Sequence, residues 1–371
     1  MSKSDPLRVA FIGAGGRWGP SAHGPVLQKV PEVNLHAVVT AHADTAQAAA
    51  DKYGVKKAYS DLKTMGADPQ IEAALVAVRV PAHHKITMAA LESGKHVYCE
   101  WPLGANTQEA EEMAAMARKK NVRTMVGLQR RASPAYQYMR ELIQQGYVGK
   151  ILSVNMTHMG SGVLTRPSDR TWQKDVNLGA NTLTITFGHS MDALCMVAGE
   201  LAEVSAVVST QVPQWFETDT KQYVDVTAPD NVMLTGRLDN GAVVSVNLGV
   251  HPYHGSGYRF EIYGTEGTLM MIGGGDAGME LKRKIMGGNI HDKDDKGLKE
   301  LPVPEKFKCV PEEIRNGGPS YDVGQMWVKF AEAIRTGAAV EADFEHAVRR
   351  HRMLDAIRRA SETGQRQKVV L

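Results

Sequence analysis

The chain reads as an α/β protein in two parts. An N-terminal, doubly wound Rossmann domain is followed by an α+β domain built on a mainly antiparallel, open sheet. Three observations predict this. A short apolar run stops at a glycine turn within residues 7–24, LRVAFIGAGGRWGPSAHG. Strand-like and helix-like segments then alternate up to about residue 130. Beyond residue 150, strand-like segments follow one another with little helix between them. The boundary falls between residues 130 and 131, giving domains of 1–130 and 131–371.

Residues 9–12 are apolar and short enough for a buried strand, and they run into Gly13-Ala14-Gly15-Gly16, with helical composition after Pro20. Strand, glycine turn and helix N-terminus is the order that brings a backbone close to a pyrophosphate. Gly13 and Gly15 fit the first two positions of G-x-G-x-x-G, Trp18 occupies the third, and Gly19 comes one residue late.

Further strands are expected at 33–39, 73–78, 96–99 and 122–128. Helices are expected at 45–53, closed by Gly54, at 83–92, closed by Gly94, and at 107–119 with Thr107 as N-cap. Alternation of this kind implies a parallel sheet covered on both faces. A helix at 134–145 ends at Gly146. The second domain should hold strands at 151–158, 204–212, 232–238, 242–249, 258–263 and 268–272, with one helical insert at 183–197. Asp239-Asn240-Gly241 and Gly264-Thr265-Glu266-Gly267 are hairpin signals. The stretch 273–299 reads as hairpin tips and loops. Two helices, 323–336 and 344–363, close the chain; the second has a basic, solvated face, and the pair is expected to pack back on the first domain.

Length and composition bound the function. At 371 residues there is room for about two domains, and 43% hydrophobic with 23% charged residues is ordinary for a globular protein. A net charge of +2 gives no basic field for nucleic acid. No apolar run is long enough for a membrane span. Three scattered cysteines, Cys99, Cys195 and Cys309, argue for a reducing compartment, and the N-terminus lacks a secretory signal, so a cytoplasmic protein is expected.

Several segments together resemble the glucose–fructose oxidoreductase / inositol dehydrogenase / MocA (Gfo/Idh/MocA) family of nicotinamide-dependent proteins. They are Gly13-Ala14-Gly15 with His23, Val80-Pro81-Ala82-His83-His84, and the run from Ala90 through Gly94-Lys95-His96-Val97. Gln129-Arg130 sits where the family usually has Asn-Arg, and Gly188-His189-Ser190-Met191-Asp192 resembles its His-x-x-Asp. Two departures stand out. The family's Glu-Lys-Pro, whose Lys is the usual acid/base, is Glu100-Trp101-Pro102, and the Asp usual four residues before the catalytic His is Ile185. An indole has no proton that titrates near neutral pH. The longer glycine turn, the tryptophan and Leu183-Thr184-Ile185 resemble the branch containing the yeast galactose repressor, a regulator that binds a dinucleotide, and its bacterial look-alikes.

The resemblance implies catalytic roles for His189 and Asp192 and cofactor contacts from Gly13, Gly15, Gly16, Arg17, Trp18, Val80, Pro81, His84, Glu100, Trp101 and Gln129. Trp101, Arg130, Trp172, His189 and Tyr253 are the candidate substrate contacts. Trp101 reads either as a stacking surface for a ring or as a packing residue at a strand end. Cofactor choice rests on the end of the second strand, where NAD-preferring folds place an acid. Here Thr40 and His42 stand there, with Arg17 in the turn and no acid before Asp44, so NADP is favoured over NAD and use of both stays open. His251 and His254 lack a nearby thiolate or carboxylate, so no metal is expected. The expected function is an NAD(P)-dependent oxidoreductase moving hydride between nicotinamide and a secondary alcohol or ketone of a sugar, polyol or ring compound. The alternative is a catalytically inactive dinucleotide-binding sensor or regulator. The open sheet face predicts a homodimer or homotetramer.

Overall fold

The computed structural model describes residues 5–162, 164–251, 253–273, 283–292, 297–315 and 318–371. Two compact units make it up, Met1–Ala132 with Cys309–His351, and Ser133–Lys308 with Arg352–Leu371.

The first unit begins with β1 (Leu7–Ile12), α1 (Trp18–Ala22), α2 (Gly24–Lys29), β2 (Val33–Val39), α3 (Ala43–Tyr53), β3 (Lys57–Tyr59) and α4 (Leu62–Ala67). It continues with β4 (Ala73–Val76), α5 (His83–Glu92), β5 (His96–Glu100), α6 (Thr107–Lys120) and β6 (Thr124–Gly127). The sheet order is β3-β2-β1-β4-β5-β6, and every neighbouring pair is parallel. β4 is buried throughout, as its unbroken run Ala73-Ala74-Leu75-Val76 demands of a strand covered on both faces. The order reverses direction between β1 and β4, and the C-terminal ends of all parallel strands share one edge of the sheet.

Three local expectations are corrected. The helix after the glycine turn starts at Trp18 rather than after Pro20 and breaks at His23 into two short pieces. Pro20 lies in the first turn of α1 and Pro25 at the start of α2, where a missing N–H costs nothing. The N-cap of α6 is Asn106, whose side-chain oxygen accepts the Glu109 N–H at 3.0 Å, so Thr107 is already helical. β3 and α4 were too short to carry a periodic signal; α4 is instead set by the Asp61 cap, which accepts from the Thr64 N–H at 2.7 Å.

The second unit holds α7 (Pro134–Gln144), β7 (Ile151–Ser161), β8 (Thr165–Arg166), a π turn at Leu183–Phe187 and α8 (Gly188–Ala198). Then come β9 (Leu201–Ser209), β10 (Gln214–Glu217), β11 (Tyr223–Asp225), β12 (Asn231–Leu238), β13 (Val243–His251), β14 (Gly257–Gly264), β15 (Gly267–Gly273), β16 (Lys284–Asn289) and β17 (Lys299–Glu300). The chain ends with α9 (Pro319–Thr336), which belongs to the first unit, α10 (Phe344–Thr363) and β18 (Gln367–Lys368). The large sheet has the order β17-β16-β15-β14-β7-β13-β12-β9-β18. It is antiparallel except for the β7–β13 pair. Both predicted hairpins form, as β12–β13 and β14–β15.

Alternation sets the two faces of this sheet. Val154, Met156, Val232, Leu234, Val244, Val246, Phe260 and Ile262 are buried on one side. On the other, Val207, Met233 and Val243 are about half exposed or more, at 61%, 48% and 47%. The stretch 273–299 is corrected in part: β16 and β17 are strands, and residues 274–282 and 293–296 lie outside the described residues. The small sheet β11-β10-β8 was not foreseen, since strands of two to four residues give no alternation to read. In α10, Arg349, Arg352, Arg358 and Arg359 are exposed as expected, but Arg350, His346 and His351 are buried.

Candidate functional site

In the first unit, the C-terminal edge of the parallel sheet collects most of the residues singled out from the sequence. Gly13, Gly15, Gly16 and Arg17 follow β1, Thr40 and His42 follow β2, and Val80 and Pro81 follow β4 in a short 3-10 turn, Val80–Ala82. Glu100 and Trp101 end β5, while Gln129 and Arg130 lie in the 3-10 turn Gln129–Ala132 after β6. His84 is the exception, because it sits on α5 and pairs with Glu112 at 2.8 Å.

The turn is shaped by sterics. Gly13 has φ +96°, and a Cβ there would collide with the Ala77 carbonyl at the end of β4. Gly15 is exposed, and a Cβ on it would meet only Thr40 Cγ2 at 3.9 Å, so its backbone is open to approach. Gly19, one residue late in the motif, takes the packing role of the third glycine: a Cβ would lie 2.9 Å from the Phe11 ring of β1.

Trp18, the intruder in the motif, turns to the end of β5. Its indole Nε1–H donates to Glu100 Oε2 at 2.7 Å. His23 Nε2 lies 2.8 Å from Glu100 Oε1, and His23 Nδ1 accepts the Trp327 indole N–H at 2.9 Å. An indole nitrogen only donates, so Nδ1 carries a lone pair and Nε2–H must donate to the carboxylate. Trp327 stacks on Tyr98 of β5 with ring centroids 4.9 Å apart and 16° between planes. Glu100 therefore anchors the helix after the glycine turn to β5 and, through His23, to α9.

His83 was grouped with His84 in one turn, and the two behave differently. His83 is buried, with Nδ1 2.9 Å from the Pro102 carbonyl and Nε2 3.1 Å from the Val78 carbonyl. Burial pushes its pKa down, but Cys99 and the two carbonyls prevail and raise it to about 9. Both nitrogens donate, and the cation ties the turn after β4 to the turn after β5. Trp101 is 4% exposed, and its ring centroid lies 4.9 Å from that of His351. Burial lowers the His351 pKa to about 4. Gln129 is buried, and its Oε1 has no hydrogen-bond partner among the described residues. An orphaned acceptor on the same C-terminal edge of the sheet as the exposed glycine backbone fits a bound dinucleotide.

In the second unit, His189 and Asp192 lie three residues apart on α8, the helix that follows the π turn. His189 is 7% exposed and Asp192 fully buried. Such π turns recur at functional sites because they re-aim the side chains that follow. His158, on the buried face of β7, was missed by sequence reasoning. Its Nδ1 lies 3.5 Å from Ser190 Oγ, and its ring meets the edge of Tyr258 at 5.4 Å. A histidine in register with Val154 and Met156 was the available signal. Tyr258 accepts from the Tyr136 hydroxyl at 2.5 Å, tying β14 to α7. Trp172 is half-buried in the 3-10 segment Ser168–Lys174, and Tyr253 is 73% exposed after β13.

A parallel sheet of this order, with a glycine turn at its reversal point, defines an NAD-binding Rossmann protein. Comparison with known proteins agrees. Residues 7–128 match the oxidoreductase family with an NAD-binding Rossmann fold (GFO_IDH_MocA), and residues 134–273 match the Gal80p C-terminal domain. The dehydrogenase aclE of Aspergillus oryzae is 30% identical over 98% of this chain and 98% of its own. Levoglucosan dehydrogenase of Pseudarthrobacter phenanthrenivorans is 30% identical over 71% of this chain and 73% of its own. A structure of levoglucosan dehydrogenase with NADH and levoglucosan superposes with a TM-score of 0.84 at 25% identity, covering 98% of this chain and 99% of that one. The transcriptional regulator Gal80p of Kluyveromyces lactis shares the fold, with a TM-score of 0.85 at 24% identity over 100% of this chain and 95% of its own. The chain belongs to the Gfo/Idh/MocA family, with a Gal80p-like C-terminal domain.

Proposed function

We propose that the protein is an NAD(P)-dependent dehydrogenase acting on a secondary alcohol or ketone of a sugar, polyol or ring compound. The observation that carries this reading is the buried His189 and Asp192 pair behind a π turn, in a chain of this family. Bound nicotinamide supplies the hydride acceptor. The chain does the rest. Gly13, Gly15 and Gly16 let the backbone reach the pyrophosphate, and Gln129 Oε1 accepts a hydrogen bond from the cofactor. Trp101 packs as an apolar wall against the reacting ring, with Arg130, Trp172 and Tyr253 as further substrate contacts. His189 Nδ1 is buried, so proton exchange runs through Nε2, which takes the hydroxyl proton in oxidation and returns it in reduction. Asp192, one helical turn on, steadies the charge that forms.

Thr40, His42 and Arg17 admit a 2′-phosphate and support NADP, while Asp44 in the first turn of α3 supports NAD. The levoglucosan complex favours a ring sugar as substrate class. We also propose that the protein works in the cytoplasm as a homodimer or homotetramer through the exposed sheet face. The test is a single-turnover assay with NAD+ and NADP+ in turn against pools of sugars, polyols and aromatic alcohols. Appearance of reduced nicotinamide, abolished by His189→Ala with dinucleotide affinity retained, is the expected result. Silence across the pools with tight dinucleotide binding refutes it.

That silent outcome belongs to a second reading, a dinucleotide-binding regulator. Trp101 favours it, since the residue at the family's usual Lys position is nearly buried against a histidine that burial keeps neutral.

A further inference from the structure

The small sheet of β8, β10 and β11 closes over its own core of Trp215, Val226 and Ala228, packed against Val212, Val224 and Val250. Trp215 and Glu217 share one face of β10, and the β8–β10 register sets Arg166 opposite Glu217 on that face. The Arg166 guanidinium lies over the Trp215 ring, 4.1 Å from its centroid. One of its N–H groups donates to the neutral amide oxygen of Gln173 at 2.8 Å. No carboxylate pairs with Arg166 among the described residues. Glu217 is already engaged, accepting from the hydroxyls of Thr171 and Thr220.

Two further features point the same way. Burial, and then the neighbouring Arg170 guanidinium, push the Arg166 pKa down to about 10. Trp215 is 5% exposed, and its indole N–H is buried with no acceptor among the described residues. The cluster is thus rich in donors and poor in acceptors. Stacking on an indole strips water from the guanidinium faces but leaves its N–H edges free to bind. Two neighbouring like charges, one of which has only a neutral amide oxygen as its side-chain acceptor, are an arrangement that a bound oxyanion relieves.

We propose that Arg166, Arg170 and Trp215 form a subsite for an oxyanion, the carboxylate or phosphate of a small-molecule ligand. The subsite stands whether or not the protein is a dehydrogenase, because it is read by binding and not by turnover. The test titrates the full chain by calorimetry with inorganic phosphate and, separately, with acetate. Ionic strength is held constant with chloride, and a saturating dinucleotide fills the glycine turn. Saturable binding is expected, weakened about ten-fold or more in both Arg166→Met and Arg170→Met, as loss of a charge-assisted hydrogen bond implies. Arg170 is exposed, so its variant folds even if Arg166→Met does not. Tighter phosphate assigns a phosphate-bearing ligand, and tighter acetate a carboxylate-bearing one. No saturable binding of either ion, or wild-type affinity in Arg170→Met, overturns the proposal.

Discussion

Glu100→Gln changes almost no volume and yet should disrupt the first unit. The carboxylate receives two donors, Trp18 Nε1–H at 2.7 Å and His23 Nε2–H at 2.8 Å, and both distances suit charge-assisted hydrogen bonds. A glutamine has one oxygen and one NH2. If the oxygen faces His23, the NH2 confronts the Trp18 N–H, donor against donor. If it faces Trp18, the NH2 confronts the His23 N–H, which cannot change tautomer because Nδ1 already accepts from Trp327. No relaxation by simple displacement is at hand either: a Cβ on the adjoining Gly127 would lie 2.6 Å from Glu100 Oε1, so the backbone already crowds the carboxylate. One charged hydrogen bond becomes neutral and the other is replaced by a buried, unpaired donor, a loss of about 2–4 kcal/mol. The assay is urea unfolding followed by tryptophan fluorescence, with dinucleotide affinity measured alongside. Trp18→Phe in the Glu100→Gln background removes the opposing donor, so the double variant should lose less than the sum of the two single changes. A Glu100→Gln protein within about 0.5 kcal/mol of wild type, or strict additivity in the cycle, refutes the donor–acceptor argument.

Three other perturbations follow from the same geometry. His83 has a folded pKa raised from 6.5 to about 9, so its contribution is complete below pH 6.5 and is lost as pH rises through 9. The unfolding free energy from urea titrations should fall across that window by up to about 3 kcal/mol, and His83→Gln should flatten the slope. His351 has the opposite sign. Its pKa is lowered to about 4, so stability is complete above pH 6.5 and is lost as pH falls towards 4, a dependence that His351→Phe should remove in acid unfolding curves. Met233→Glu places a charge beside Val207 on the exposed sheet face and should convert an oligomer to monomers by light scattering; a monomeric wild type would sink the oligomer proposal.

What the sequence made legible divides by length scale. β2, α5 and α10 could be bounded to the residue, because each is a long periodic segment between strong punctuation. The small sheet stayed hidden because β8 has two residues and β11 three, fewer than one alternation period repeated. The site was legible by residue type but not by role. Trp18 reads as a defect in the glycine motif, and only its hydrogen bond to Glu100, 82 residues away, makes it a fastener. His83 and His84 are neighbours in sequence, yet one is a buried cation on two carbonyls and the other a partly exposed partner of Glu112. No local pattern separates them, since the helix start at His83 decides which ring turns inward.

The proton is the point on which the two functional readings divide. Oxidising an alcohol to a ketone releases a hydride and a proton, and the proton needs a base near neutral pH. Trp101 offers none, and His351 behind it, although neutral, has an Nε2 that is buried and unexposed to substrate. Glu100 has both oxygens committed to Trp18 and His23, and His83 already holds two protons and can accept no more. Each titratable group identified at the ends of β4 and β5 is thus spent on structure. None of these groups is then free to act as the base, and His189 is the residue that the family motif and the π turn both single out. His189→Asn keeps a similar polar shape but cannot take the proton, so it should abolish the chemical step and leave dinucleotide binding intact. Full turnover in that variant would mean that the substrate brings its own base, and the dehydrogenase reading would then have to rest on the cofactor site alone.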